Sequence, residues 1–228
     1  MNALPELQPI LASLTERFGA QIQLMQIPSP NEVCFQGKIE LVPGFCALLY
    51  KEWGARLASL FADDVRAQTG DFHLYYVFAL DAAHGFLILR VPVPPSQPRF
   101  VSLTNALPAL NWQEREIQDL FGLKLEGHPN ARPCALHDDW PAVHPLRKGF
   151  ALRTVLPPFA GERHKFRVVE GEGVFQVPVG PVHAGIIEPG HFLFSVAGES
   201  VLYLQIRLFY THKGTEKLFE NLPLAHGV

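Results

Sequence analysis

The sequence predicts an α+β chain, and three observations predict it. Apolar residues recur at helical spacing near the start and again around residue 117, the signature of half-buried helices. Between and after those stretches run aromatic and β-branched segments with a period of two, which suits strands. A long stretch, 126–165, shows neither period and separates a compact first part from a strand-rich last part.

The elements follow in order. Leu4, Leu7, Leu11, Leu14 and Phe18 lie at helical spacing, and Gly19 supplies a stop. Residues 32–40 read as a strand, with Val33, Phe35 and Ile39 on alternate positions. Pro43 suits the first turn of a second helix, whose apolar stripe is Phe45, Leu49, Trp53, Leu57, Leu60 and Phe61. Two strands follow over 72–80 and 85–93, and Asp81-Ala82-Ala83-His84 is short enough to join them as a hairpin. Pro92-Val93-Pro94-Pro95 must leave the sheet, because proline has no N–H to give to a ladder. Asn111 and Glu114 have the spacing of a capping box and open a third helix; Ile117, Leu120 and Phe121 form its apolar side, and Gly122 ends it. The first domain is therefore set at 1–125, with an antiparallel sheet and about three helices.

The second part, 126–165, holds six of the 20 prolines and four of the 10 histidines, His128, His137, His144 and His164. Trp140, Leu146 and Phe150 argue for an extended arm that wraps a surface, since a free linker rarely carries such residues. The third part, 166–228, alternates again. Phe166 and Val168, then Val174, Phe175 and Val177, suggest a hairpin turning at Glu170-Gly171-Glu172-Gly173. A second hairpin pairs 191–196 with 200–206 about Ala197-Gly198-Glu199, and a helix begins at Thr215. So few strands leave an apolar face uncovered, so this part is expected to be truncated or to find its missing core on another chain.

Composition excludes several classes. The chain has 228 residues, 48% of them hydrophobic, and a formal net charge of −3. A phosphate-backbone binder wants a basic excess, so no nucleic-acid partner is expected. No apolar run approaches the roughly 18 residues of a spanning helix, and Met1-Asn2-Ala3-Leu4-Pro5-Glu6 does not open like a signal peptide. The three cysteines, Cys34, Cys46 and Cys134, form no CxxC pair, which excludes a zinc ribbon, an iron–sulfur ligand set and a disulfide framework and suits a reducing compartment. His128, His137 and His144 are too irregularly spaced to read as a metal site. A zinc enzyme built on this arm stays open as a third reading, and it predicts stoichiometric metal.

Three spaced motifs carry a family resemblance: Glu114-Arg115-Glu116-Ile117-Gln118-Asp119-Leu120-Phe121-Gly122, then Gly127-His128-Pro129, then Asp139-Trp140 with Pro145-Leu146-Arg147-Lys148. The series resembles the C subunit of respiratory complex I. Further on, Gly180-Pro181-Val182-His183, Gly198-Glu199 and Tyr210-Thr211-His212-Lys213-Gly214-Thr215-Glu216-Lys217 resemble the start of the D subunit, a homologue of nickel–iron hydrogenase large subunits. A C-like region fused to a D-like region looks like the large subunit of energy-converting, membrane-bound hydrogenases of the formate-hydrogenlyase and hydrogenase-4 type. The resemblance covers about 111–220 well and is weak before that.

That resemblance implies a membrane-associated oxidoreductase complex that couples electron transfer to proton or quinone reduction. Its partners would be other subunits, including an iron–sulfur small subunit, and it would reach the membrane only through them, on the cytoplasmic side. Subunit docking would fall to Glu114, Arg115, Glu116, Asp119, His128, Arg147 and Lys148. The domain junction would hold His212, Lys213, Glu216 and Lys217. Loop 183–191 would approach the active pocket with His183, Glu188 and His191, whose side chains exchange protons near neutral pH. Such hydrogenases hold nickel and iron with two CxxC pairs, and this chain has none. It is therefore expected to bind no cofactor itself, the parent complex holding the nickel–iron centre and iron–sulfur clusters, and to be inactive alone. The residues also admit plainer readings: a solvated charged helix face for Glu114 to Asp119, hydrogen-bonded turn histidines for His183 and His191, and helix capping for Glu216. The alternative function is a non-catalytic assembly or scaffold protein that kept the fold and lost the redox chemistry.

Overall fold

The structure is a computed structural model that describes residues 3–161, 164–220 and 222–227. The chain divides into two compact units, residues 1–131 and 132–228. The division falls a few residues inside the predicted arm, because His128 is buried in the first unit.

In the first unit, α1 (Gln8–Phe18) buries Ile10, Leu14 and Phe18, and Leu7 is buried just before it. A hairpin follows, β1 (Ile22–Ser29) with β2 (Glu32–Gly37). β1 escapes prediction because Gln23, Gln26 and Pro28 blur its alternation and no residue in it is fully buried. β2 stops at Gly37, short of the predicted end, and a 3₁₀ turn over Ile39–Leu41 leads into α2 (Val42–Ala47).

The predicted second helix is corrected here. It widens into a π turn over Leu48–Glu52 and ends before Gly54, whose φ of 61° lies in the left-handed region that a side chain disfavours. Leu57, Leu60 and Phe61 belong instead to β3 (Arg56–Asp64), where only Leu60 of the three is buried. Their helical spacing is a coincidence of a short strand following a helix. A single turn, α3 (Arg66–Thr69), leads to β4 (Phe72–Leu80) and β5 (Gly85–Val93), the pair the sequence places correctly. β6 (Arg99–Val101), α4 (Asn111–Phe121) and β7 (Lys124–Glu126) complete the unit.

Among the described residues, five strands form one sheet in the order β1-β2-β5-β4-β3. It is not wholly antiparallel, for β2 and β5 run parallel. After β2 the chain crosses through α2 to the far edge and returns by the two hairpin steps β3-β4-β5, so β5 arrives pointing the same way as β2. One face carries the core: Val33, Phe35, Leu74, Tyr76, Phe78, Leu87 and Leu89 are each at most 5% exposed. Phe18 and Phe45 meet over it at 5.7 Å between ring centroids. Full burial of each large aromatic is worth roughly 1.5–3 kcal/mol.

In the second unit the described residues form no helix or strand before β8 (Val174–Val179). β9 (His191–Ala197) and β10 (Ser200–Arg207) make the predicted hairpin, and the three-stranded order is β10-β9-β8. The other predicted hairpin does not form. β8 pairs with β9, and Arg167 is held by the Gln205 amide instead: its N–H donates to Oε1 at 2.7 Å and its carbonyl accepts from Nε2 at 2.9 Å. A side-chain amide offers the same donor and acceptor as a strand backbone, so no strand pairing is needed there. α5 (Thr215–Phe219) starts where predicted. Phe175, Val201, Leu202 and Ile206 stay roughly half exposed, at 54%, 56%, 49% and 47%. The unit thus leaves apolar sheet surface uncovered in this chain.

Candidate functional site

The charged run on α4 folds inward. Asn111 is the first residue of α4 and makes no capping bond, so the capping box is not formed. Glu114 turns away from the backbone into the unit. Its carboxylate accepts hydrogen bonds from Ser102 Oγ at 2.5 Å, the Leu103 N–H at 2.7 Å and Thr104 Oγ1 at 2.7 Å. Its side chain is 0% exposed, as is that of His128, whose Nε2 faces Glu114 Oε2 at 3.9 Å. His128 Nδ1 accepts the Asn130 N–H at 2.9 Å, which assigns the ring proton to Nε2, on the carboxylate side. A buried carboxylate is tolerable only when it is this well supplied with donors. The knot ties three separate pieces of chain together: the 102–104 turn, α4 and the first residues after β7.

The solvated-face reading of this helix therefore fails. Arg115 is 7% exposed and Asp119 8%; Arg115 Nη1 donates to Asn111 Oδ1 at 3.2 Å and its guanidinium sits 5.9 Å from the Trp112 ring centroid. Of the four predicted docking residues on α4, Glu116 is the exposed one. Glu114 has its oxygens taken up by its own chain, which makes it an internal organiser. Gln118 is a residue the sequence reading missed: it accepts the Leu125 N–H and donates to the Ala131 carbonyl. Nothing in the local pattern distinguishes it from an ordinary exposed glutamine. The field of Glu114 reaches further, since burial, and then the Glu114 charge, push the Cys46 thiol up. Tyr76 lies well above the usual phenol range through burial, with Cys46 and Glu114 adding to it.

In the second unit, loop 183–191 is closed at its stem by backbone contacts. His183 Nε2 lies 2.7 Å from the Gly190 carbonyl oxygen, and the Gly190 N–H donates to the Pro181 carbonyl at 3.0 Å. His191 Nδ1 lies 3.4 Å from the Gly180 carbonyl, with the Phe166 ring edge-on to it at 5.3 Å. Glu188 is exposed on the far part of the loop, near Ile186 and Ile187, which are 103% and 62% exposed. The structure thus ties both histidines to the stem and leaves the glutamate in solvent; it does not gather the three into one acid–base cluster. Gly180, with φ of 84°, is what lets the stem close: a Cβ there would overlap the Gly190 carbonyl oxygen and stand 2.7 Å from His183 Nε2.

Two further knots lie in this unit. Lys217 is 7% exposed; its Nζ donates to the Arg147 carbonyl at 3.0 Å and pairs with Glu220 at 2.9 Å. Lys148 reaches the same carboxylate at 2.9 Å. Burial works to raise the Glu220 carboxyl, but the hydrogen bonds and charges of the two lysines outweigh it and hold the group below its ordinary range. Lys213 and Glu216 are exposed, whereas His212 Nε2 is buried without a partner. The second knot is the ion pair of Asp138 with Arg207, whose Nε donates to Oδ2 at 2.8 Å. Neither Asp138 nor Arg207 is singled out by sequence, because they stand 69 positions apart.

The donor set does not fit a nickel–iron centre. Among the described residues no group of three or more histidines, cysteines or acidic residues is arranged to hold a metal ion. Burial pushes the Cys34 thiol up, as it does that of Cys46, and it is the thiolate that binds such metals. No helix among the described residues is long and apolar enough to cross a membrane.

Comparison with known proteins places these features. The chain is 36% identical over 220 residues to hydrogenase-4 component G of Escherichia coli K12, covering 94% of this chain and 39% of that protein. It is 33% identical over 219 residues to formate hydrogenlyase subunit 5 of the same strain, covering 94% and 38%. The chain thus spans less than two fifths of the length of these curated relatives. Its fold is similar to a chain of the membrane-bound sulfane sulfur reductase, an archaeal respiratory membrane complex, with a TM-score of 0.54 at 17% identity over 70% of this chain and 98% of that one. The family model for the respiratory-chain NADH dehydrogenase 30 Kd subunit matches residues 38–155. With over half its length inside that model, including the whole of α4 and its buried knot, the chain belongs to the NADH dehydrogenase 30 Kd subunit family.

Proposed function

We propose that this chain is the docking part of the large subunit of a membrane-attached, energy-converting hydrogenase, which couples electrons from iron–sulfur clusters to proton reduction. The observation that carries this reading is the likeness to two hydrogen-metabolising proteins along 94% of the chain, both units included. The build of the two units supports it. The first has a closed core, with its family motif used to brace its own turns. The second exposes the apolar strands a neighbouring body would cover.

On this reading the first unit docks other subunits, including an iron–sulfur small subunit, and loop 183–191 reaches toward the active pocket. Nickel and iron are held by residues other than those of this chain. The complex sits on the cytoplasmic face of the membrane and this chain meets the bilayer only through its partners. The test is deletion of the coding sequence, followed by assay of membranes for hydrogen evolution from reduced viologen. Loss of evolution, restored by the returned gene, is expected. Unchanged evolution, or hydrogen evolution by the purified chain alone, overturns the proposal. A membrane that loses a quinone reductase activity instead points to the complex I branch.

A further inference from the structure

In the second unit, Phe166 and Arg167 lie against one face of the three-stranded sheet. Alternation puts Tyr203, Gln205 and Arg207 of β10 on that face, and strand register sets Ser195, Leu193 and His191 of β9 opposite them. Residues 166–168 belong to no helix or strand, and among the described residues they make no backbone–backbone hydrogen bond. Side chains hold them instead. The Gln205 amide takes both the N–H and the carbonyl of Arg167, at 2.7 and 2.9 Å. The Arg167 guanidinium lies 4.9 Å from the Tyr203 ring centroid. One residue back, the Phe166 ring meets the His191 ring at 5.3 Å and the His164 ring at 4.8 Å.

These contacts differ in kind. Gln205 makes two directional hydrogen bonds to one peptide backbone, which fixes the segment in position. The ring and cation contacts are weak and tolerant of small shifts. Arg167 and Val168 are exposed, so little burial backs them up. A segment with few buried contacts and solvent-exposed hydrogen bonds opens locally, without unfolding of the sheet beneath it. What it covers is His191. The Nδ1 of that ring lies 3.4 Å from the Gly180 carbonyl, at the long limit of a hydrogen bond, so the Phe166 ring is a main part of its surroundings. His183 at the same stem is held differently, with Nε2 2.7 Å from the Gly190 carbonyl and Phe192 as its ring neighbour.

We infer that residues 164–168 form a strap latched by Gln205, and that opening of the strap controls solvent access to the His191 ring at the stem of loop 183–191. A histidine exchanges protons near neutral pH, so the strap sets when this one is free to do so. The inference rests on the reading of loop 183–191 above for its use in the complex, and on the geometry alone for the strap itself.

The test treats the purified full chain with diethyl pyrocarbonate, which acylates accessible imidazole nitrogens, and reads His191 and His183 separately by tandem mass spectrometry. Gln205→Ala should raise the His191 rate about tenfold, the factor that two modest hydrogen bonds supply. It should also speed amide exchange at Arg167 and leave the His183 rate unchanged. Phe166→Ala should raise the His191 rate too, but with the Arg167 amide exchanging as in the parent, because the ring is the cover and the amide is the latch. Gln205→Glu keeps an acceptor for the Arg167 N–H and turns an oxygen toward its carbonyl, so it should open the strap as well. It carries the test if faster exchange of the Phe194 amide, in the central strand β9, shows that Gln205→Ala has loosened the sheet. A His191 rate unmoved in both glutamine variants overturns the strap, and so does an equal rise at His183, which would mean that the whole stem has loosened. Either failure leaves the hydrogenase reading standing, since the deletion experiment decides that separately.

Discussion

Replacing Glu114 with alanine strips three donors of their acceptor at once: the Ser102 and Thr104 hydroxyls and the Leu103 N–H. Each hydrogen bond to a charged group is worth about 1.5–3 kcal/mol. Against that, the variant no longer buries a carboxylate, which in itself costs several kcal/mol. The orphaned donors and the cavity dominate, and removing one member of a buried charged cluster destabilises by about 3–5 kcal/mol. Glu114→Gln keeps the volume and one acceptor oxygen, so its loss should be nearer about 1–2 kcal/mol. Urea unfolding gives the totals. Amide hydrogen exchange at Leu103 gives the local readout, which matters because two compact units need not unfold as one. Protection of that amide should collapse in the alanine variant and weaken in the glutamine one. An alanine variant with Leu103 as protected as in the parent would refute the internal-brace account. Equal losses in both variants would show that the negative charge facing His128, and not the hydrogen bonds, holds the knot.

Gly180→Ala should open the stem of loop 183–191, since the new Cβ meets the Gly190 carbonyl and the His183 ring; faster exchange of the Gly190 amide reports it, and an unchanged rate counts against the stem. His73 provides a pH dependence. Burial, then the Arg90 charge, lower its pKa below the ordinary 6.5, so the folded state prefers the neutral ring. Its stabilising contribution is complete above about pH 6.5 and is lost as pH falls through the lower folded value. The drop in urea midpoint between pH 7.5 and 5.5 should therefore shrink in His73→Asn, and an identical drop would sink the assignment.

Much of the fold is legible in sequence because the relevant signals are local. β5 alternates buried and more exposed positions over its whole length, β4 and the β9–β10 hairpin are aromatic and aliphatic runs bounded by turns, and α4 carries its own apolar stripe. The misses have local causes too. β1 lacks a fully buried residue to mark its face, and the π turn before Gly54 hides the break that converts a helical stripe into β3. The candidate site was read less well. The charges of α4 have the spacing of a solvated helix, and spacing carries no record of a turn that folds back to supply three donors.

The sequence by itself determined the α+β class and the family, since residue type, period and ordered motifs are properties of the chain read along its length. Only the tertiary structure decided the parallel pairing of β2 with β5, the burial of Glu114 against His128, and the hydrogen bond of Arg90 to Gln36 across neighbouring strands. The physical reason is that hydrogen bonding, burial and charge pairing depend on distance in space. Residues 14, 54 and 69 positions apart meet only after the sheet has assembled.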